Sequence, residues 1–289
     1  MKRILSLPDK RSLVLGEKPL VMGIVNLTPD SFFPGSRAPE PEQAVDRALA
    51  LLAEGADILD FGAESTRPGS APVGPDEEMG RLIPALRAFR ARSGALVSVD
   101  TRRAAVAKAA LDEGADIVND IAALSDPAMA SVVARFGAGI VLMHMLGEPS
   151  TMQENPVYSD CAAEVAAYLR AAVSKALDAG IARDSIILDP GIGFGKTLEH
   201  NLDLIRRLYL VAEYGYPVLV GLSRKRFIGQ ITGKPVEQRL SGSLGAACAA
   251  WMGGADIIRV HDVAETKDAL ALFVSCLPTR AYPGRAVRT

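Results

Sequence analysis

Three times along the chain an alanine-rich run ends in glycine and passes straight into a short β-branched stretch: AEGADILDFG from Ala53, DEGADIVNDI from Asp112 and MGGADIIRVHD from Met252. Glycine readily takes the left-handed conformation that closes a helix, and isoleucine and valine favour an extended backbone. The unit that repeats is therefore helix, glycine, strand. Further apolar runs of strand length are LVMGIV (20–25), ALVSVD (95–100), AGIVLMH (138–144), SIILD (185–189) and PVLVGL (217–222), which brings the count to eight. None alternates with polar residues, as expected of a parallel sheet buried on both faces, and amphipathic segments such as EQAVDRALALLAEG separate them. Eight such units over about 250 residues predict an α/β fold, a (β/α)8 TIM barrel in one domain, with a doubly wound open sheet as the alternative. Residues 1–18 read as a short N-terminal extension, 19–275 as the barrel and 276–289 as a C-terminal tail.

Polar residues gather where these runs end. Asn26, Asp60, Glu64, Asp100, Asn119, Asp120, His144, Asp189, Ser223, Lys225, Arg259 and His261 all stand at or just past the C-terminal end of a predicted strand. In a barrel enzyme that end carries the chemistry. Short polar side chains can cap the turns there, but capping does not explain lysine, arginine and histidine in the same places. Two of the connecting loops are unusually long, LTPDSFFPGSRAPEPE and GAESTRPGSAPVGPDEE, and each carries an arginine suited to an anion, Arg37 and Arg67.

The segment ILDPGIGFGKT (187–197) has the look of a nucleotide loop and fails both tests. A P-loop needs glycine at position 190, where the chain has Pro190, which lacks an N–H. A dinucleotide fingerprint from Gly191 needs glycine at position 196, where the chain has Lys196. A net charge of -2 leaves no global basic surface, so nucleic acid is not expected as a partner. No window reaches the ~18 apolar residues of a membrane helix, and the start, MKRILSLPDKRS, lacks the apolar core of a leader; a cytoplasmic protein without a membrane partner is expected. Cys161, Cys248 and Cys276 lack metal or disulfide spacing and are expected to be small buried residues.

A barrel mouth holding Asp100, Asn119, Asp189 and Lys225 offers several acceptors and a strong donor. A flat heterocycle with an edge of N–H donors would satisfy the aspartates and asparagine, and its carbonyl the lysine. Arg67, Arg259 and His261 form a cationic group fit for a phosphate or pyrophosphate. Asn26 could help to hold a Mg²⁺ that keeps waters and is completed by substrate phosphates.

From about Leu20 to about Leu270 the motifs MGIVNLTPDSF, GAESTRPGS, VSVDT, IVNDI, LMHM, LDPGIGFGK, GLSRKRFIG and RVHDV occur in the order found in the dihydropteroate synthase family, which the chain closely resembles. The resemblance implies a Mg²⁺-dependent transferase that joins 6-hydroxymethyl-7,8-dihydropterin pyrophosphate to p-aminobenzoate and releases pyrophosphate, and it implies a homodimer. It implies a pterin site of Asp100, Asn119, Asp189 and Lys225, with Ile121, Met143, Phe194 and Gly221 about the ring. Asn26, Arg259 and His261 match the pyrophosphate positions, Asn26 also that of the metal. Thr66 and Arg67 match the second loop at the pyrophosphate, Phe32, Pro68 and Ser223 the p-aminobenzoate positions. Asp30, Phe32, Thr66, Arg67 and Lys225 are the residues expected to serve catalysis. One departure stands out: the family's first loop continues S-F-x-D-G, whereas this chain reads Ser31, Phe32, Phe33, Pro34, Gly35, which leaves Asp30 as the nearest carboxylate. Two alternatives remain open, a pterin-binding paralogue without synthase activity and a corrinoid-type pterin methyltransferase; the second explains neither the S-T-R-P loop nor the S-R-K motif.

Overall fold

The computed structural model of the chain describes residues 3–28, 41–65, 73–149 and 151–277. A two-stranded antiparallel hairpin, β1 (Arg3–Ser6) and β2 (Ser12–Leu15), leads into β3 (Leu20–Asn26), β4 (Ile58–Gly62), β5 (Val97–Asp100), β6 (Ile117–Asp120), β7 (Gly139–Met143), β8 (Ile186–Asp189), β9 (Leu219–Gly221) and β10 (Ile257–Val260). The last eight are parallel, in the order β8-β7-β6-β5-β4-β3-β10-β9. The two ends meet, because Leu188 bridges Val218 and its N–H donates to the Pro217 carbonyl at 2.9 Å. Each strand neighbours its sequence neighbours and β10 joins β3, so the sheet is the predicted barrel and not the open alternative.

Helices cover the outside: α1 (Pro41–Ala53), α2 (Pro75–Arg90), α3 (Ala104–Asp112), α4 (Met129–Phe136), α5 (Cys161–Asp178), α6 (Leu198–Arg206), α7 (Tyr209–Ala212), α8 (Arg226–Thr232), α9 (Leu240–Gly253) and α10 (Val263–Cys276). Successive strand residues point to opposite faces. One set, including Val21, Leu59, Val99, Val118, Leu142 and Ile258, packs against the helices. The other, Leu20, Met22, Ile58, Ile117, Val141, Ile187, Leu219 and Ile257, fills the barrel with Leu5, Leu7 and Leu15 of the hairpin segment. The strands therefore show no alternation because each serves two cores, and the N-terminal extension is a plug at the barrel's N-terminal end.

The repeated segments have a shared job there. Gly55, Gly114 and Gly254 all hold positive φ, as the helix endings predict. The aspartate two residues on then pairs twice with one residue at or next to the start of the preceding strand. Asp57 accepts from the Val21 N–H at 2.8 Å, Asp116 from Val97 at 2.9 Å and Asp256 from Val218 at 2.9 Å. In each case the aspartate's own N–H donates back to the same residue's carbonyl. Each carboxylate also meets a cation: Asp57 pairs with Lys267, Asp116 with Arg90 and Arg11, Asp256 with Arg3. Arg3 and Arg11 belong to the hairpin segment, so the plug is held by charge as well as by leucines.

One expectation needs correction. Cys161 is buried, but Cys248 is only half-buried and Cys276 is exposed. Cys276 is the last residue of α10, beyond the face that α10 buries through Val263, Thr266 and Leu270.

Candidate active site

Strand register brings the polar residues into one layer at the C-terminal mouth. Asp100 stands opposite Asn119, Met143 opposite Asp189 and Gly221 opposite Arg259, while Gly62 lies between Asn26 and Asp100. Above this layer is a cavity of about 910 Å³ whose described lining includes Asn26, Asp100, Phe194, Ser223, Lys225, Arg259 and His261. Asn119, Ile121, Met143 and Asp189, at or just past the ends of β6, β7 and β8, are each at most 5% exposed and stand outside the described lining of that cavity.

At its base Arg259 spans two carboxylates, with Nε donating to Asp60 at 2.6 Å and Nη2 to Asp100 at 2.9 Å. The same Asp60 oxygen accepts from Asn119 Nδ2 at 3.2 Å, which aims the asparagine. Asn119 Oδ1 is buried without a hydrogen-bond partner among the described residues. A buried acceptor left in that state is costly, and a ligand donor would relieve it. Burial pushes the Asp100 carboxyl up to about 7, with Asp60 adding and Arg259 opposing. Burial also works against the Arg259 charge, but Asp60 and Asp100 outweigh it and hold the guanidinium ionised.

Asp189 uses one oxygen to accept from the Gly191 N–H at 2.7 Å. Burial raises its carboxyl above the ordinary range, and Lys225 pulls the other way. Burial lowers the Lys225 ammonium to about 8. Its Nζ donates to the Ile192 carbonyl and sits 4.5 Å from the centre of the Phe194 ring. Gly191 is obligatory: at φ +65 a Cβ there would lie 1.9 Å from the His144 carbonyl oxygen. The glycines that suggest a nucleotide loop thus fold a tight turn between Asp189 and Phe194.

At the rim, the His261 N–H and Nδ1 lie 3.3 and 3.1 Å from Ser223 Oγ, which ties the two predicted binders together. The Asn26 side chain faces the cavity and no described residue engages it. Asp30, Phe32 and Pro34 of the first loop, and Thr66, Arg67 and Pro68 of the second, lie outside the described residues.

Three members of the sequence's polar ring do other work. Asp120 accepts from the Ala122 and Leu124 N–H groups and caps its own turn. Glu64 ties the ends of the second loop, accepting from the Val73 N–H at 3.2 Å and from Arg103 at 2.8 Å. His144 is buried against Tyr168, ring centres 4.8 Å apart, and burial followed by Lys196 depresses its imidazole to about 3. Asp60, by contrast, stands in that ring without an assigned role in the sequence, and proves to be the hub that aims Asn119 and Arg259.

The family model for pterin binding enzymes matches residues 22–261. The dihydropteroate synthase of Neisseria meningitidis serogroup C is 51% identical over 259 residues, which cover 88% of this chain and 91% of that protein. The chain belongs to the dihydropteroate synthase family. The Escherichia coli K12 dihydropteroate synthase is 45% identical over 262 residues, with 91% and 93% covered. The Xanthomonas albilineans enzyme solved with 4-aminobenzoic acid superposes with a TM-score of 0.89 at 43% identity, covering 96% of this chain and all of that one (100%). The Burkholderia cenocepacia enzyme complexed with 7,8-dihydropteroate gives 0.85 at 42% identity, with 95% and 97% covered. Family membership makes the chain a transferase of folate biosynthesis and leaves no place for the corrinoid-type alternative.

Proposed function

We propose that the mouth of this barrel takes 6-hydroxymethyl-7,8-dihydropterin pyrophosphate and p-aminobenzoate and forms 7,8-dihydropteroate with release of pyrophosphate. The observation that carries the reading is the buried acceptor Asn119 Oδ1, without a hydrogen-bond partner among the described residues, together with the Asp189 carboxylate and the Lys225 ammonium that faces it. A pterin edge supplies the N–H donors those acceptors need, and its carbonyl takes the lysine. Ile121, Met143, Phe194 and Gly221 are read as the surroundings of the ring. Arg259 serves first as the counter-ion of Asp60 and Asp100, and in this reading it also presents charge to the pyrophosphate with His261, Thr66 and Arg67. Phe32, Pro68 and Ser223 are read as the p-aminobenzoate contacts.

The chemistry is a displacement at the pterin methylene, with the conjugated ring sharing the charge left as pyrophosphate departs. The arylamine is a neutral nucleophile, so the chain's residues act chiefly by holding the two substrates in line. Fixed positive charge about the leaving group favours its departure.

Among the described residues no group of three or more His, Cys, Asp or Glu side chains could hold a metal. Mg²⁺ keeps several waters and binds through substrate phosphates, so the amide oxygen of Asn26, which no described residue engages, fits a metal that arrives with pyrophosphate. When bound, Mg²⁺ neutralises charge building on the leaving group. A cytoplasmic homodimer completes the reading, and among the described residues no helix is long and apolar enough to cross a membrane.

Asp189→Asn tests the pterin assignment, because it replaces an acceptor with an amide whose NH₂ would face ligand donors. Calorimetry with 6-hydroxymethylpterin should show at least about a tenfold loss of affinity, or roughly 1.4 kcal/mol. Affinity within about threefold of wild type would contradict the assignment.

A further inference from the structure

The loop between Asp189 and α6 has an unusual set of restraints. Four consecutive carbonyls, of Ile192, Gly193, Phe194 and Gly195, each accept from a different side chain. Lys225 takes Ile192, Gln153 takes Gly193 at 2.6 Å, Lys196 takes Phe194 at 2.9 Å and Tyr158 takes Gly195 at 2.8 Å. The Gly193 N–H in turn donates to Asn201 at 2.6 Å. Gly191, Gly193 and Gly195 all hold positive φ. No regular element supports such a backbone, and three glycines in five residues leave it free to sample many others. The side chains therefore select the one conformation that sets Phe194 against Lys225.

Lys196 is the least expected of these holders. It is 3% exposed, and its Nζ lies 3.0 Å from His144 Nδ1 as well as on the Phe194 carbonyl. No carboxylate among the described residues contacts it, although burying an ammonium without a counter-ion is costly. Burial lowers the Lys196 ammonium to about 7. With His144 neutral and Nδ1 accepting, the lysine joins the end of β7 to the loop that follows β8.

We infer that Lys196, with Gln153 and Tyr158 beside it, is a positioning residue for pterin recognition, acting through the Phe194 backbone and not on the ligand. The inference rests on the reading that the pterin ring lies against Phe194. Calorimetry with 6-hydroxymethylpterin and steady-state kinetics in p-aminobenzoate separate the two. Lys196→Met should weaken pterin about tenfold or more, as expected for loss of a charge-assisted hydrogen bond, with the KM for p-aminobenzoate changed less than about twofold. Because Lys196 acts through Phe194, the double variant Lys196→Met/Phe194→Ala should be no more than about twofold weaker than the weaker single variant. Tyr158→Phe and Gln153→Ala should each weaken pterin by about threefold. Lys196→Met at wild-type pterin affinity, or losses that multiply in the double variant, would overturn the inference. If Lys196→Met shows no cooperative thermal transition, the two milder variants decide, and wild-type affinity in both overturns it. A wild type that binds no pterin would instead remove the underlying reading.

Discussion

Asp100 and Lys225 face one cavity with their ionisations displaced toward each other, Asp100 up to about 7 and Lys225 down to about 8, in both cases chiefly by burial. In the proposed reading, pterin recognition needs a carboxylate at the first and an ammonium at the second. Below about 7 a proton on Asp100 competes with binding, and above about 8 Lys225 loses the charge that faces the ring carbonyl. Affinity for 6-hydroxymethylpterin should therefore rise as pH climbs through about 7, peak between the two values and fall above about 8. Calorimetry at about pH 6, 7.5 and 9 checks this, and a flat profile would mean that neither group meets the ligand. The departure at Pro34 belongs to the same scale. With the family's usual aspartate absent there, Asp30→Asn should lower turnover by roughly 10²- to 10³-fold while leaving pterin affinity nearly unchanged. A fully active variant would leave Asp30 without a part in turnover.

At the level of elements, the sequence announces the eight strands because each packs against two cores and so lacks polar interruption. It announces three helix ends through Gly55, Gly114 and Gly254. It does not announce the purpose of Asp57, Asp116 and Asp256, since the N–H each one accepts lies 36, 19 or 38 residues away. Nor does it announce the hairpin, whose strands are four residues each and carry charged neighbours. The structure makes a consequence of both. Asp116 is wholly buried and balances Arg90 and Arg11, so Asp116→Ala leaves two cations facing an empty site at the barrel's closed end. Urea denaturation should show a loss of about 1–3 kcal/mol, the usual cost of stranding a buried donor, here the Val97 N–H, while the two partly exposed arginines can turn to water. Pterin affinity of the folded variant should stay near wild type, because the site is at the opposite end of the strands.

Across the whole molecule, the candidate site was legible where polar residues coincide with strand ends. Asn26, Asp100, Asn119, Asp189, Lys225, Arg259 and His261 were all visible as polar residues closing apolar runs. Asp60 was visible but without a role, because its importance comes from the two partners it shares across strands. Gln153 and Tyr158 carried no such signal, since each meets the 191–195 loop only through the fold, and Lys196, next to that loop in sequence, had nothing there to mark its side chain as buried. The account's central claim is that these parts together join a pterin to an arylamine. Its most direct measurement is steady-state pyrophosphate release by the wild type given 6-hydroxymethyl-7,8-dihydropterin pyrophosphate and Mg²⁺, with and without p-aminobenzoate. Release that depends on p-aminobenzoate and matches the 7,8-dihydropteroate formed is the predicted result. Pterin binding without such release would contradict the account and leave a non-catalytic pterin-binding paralogue in its place.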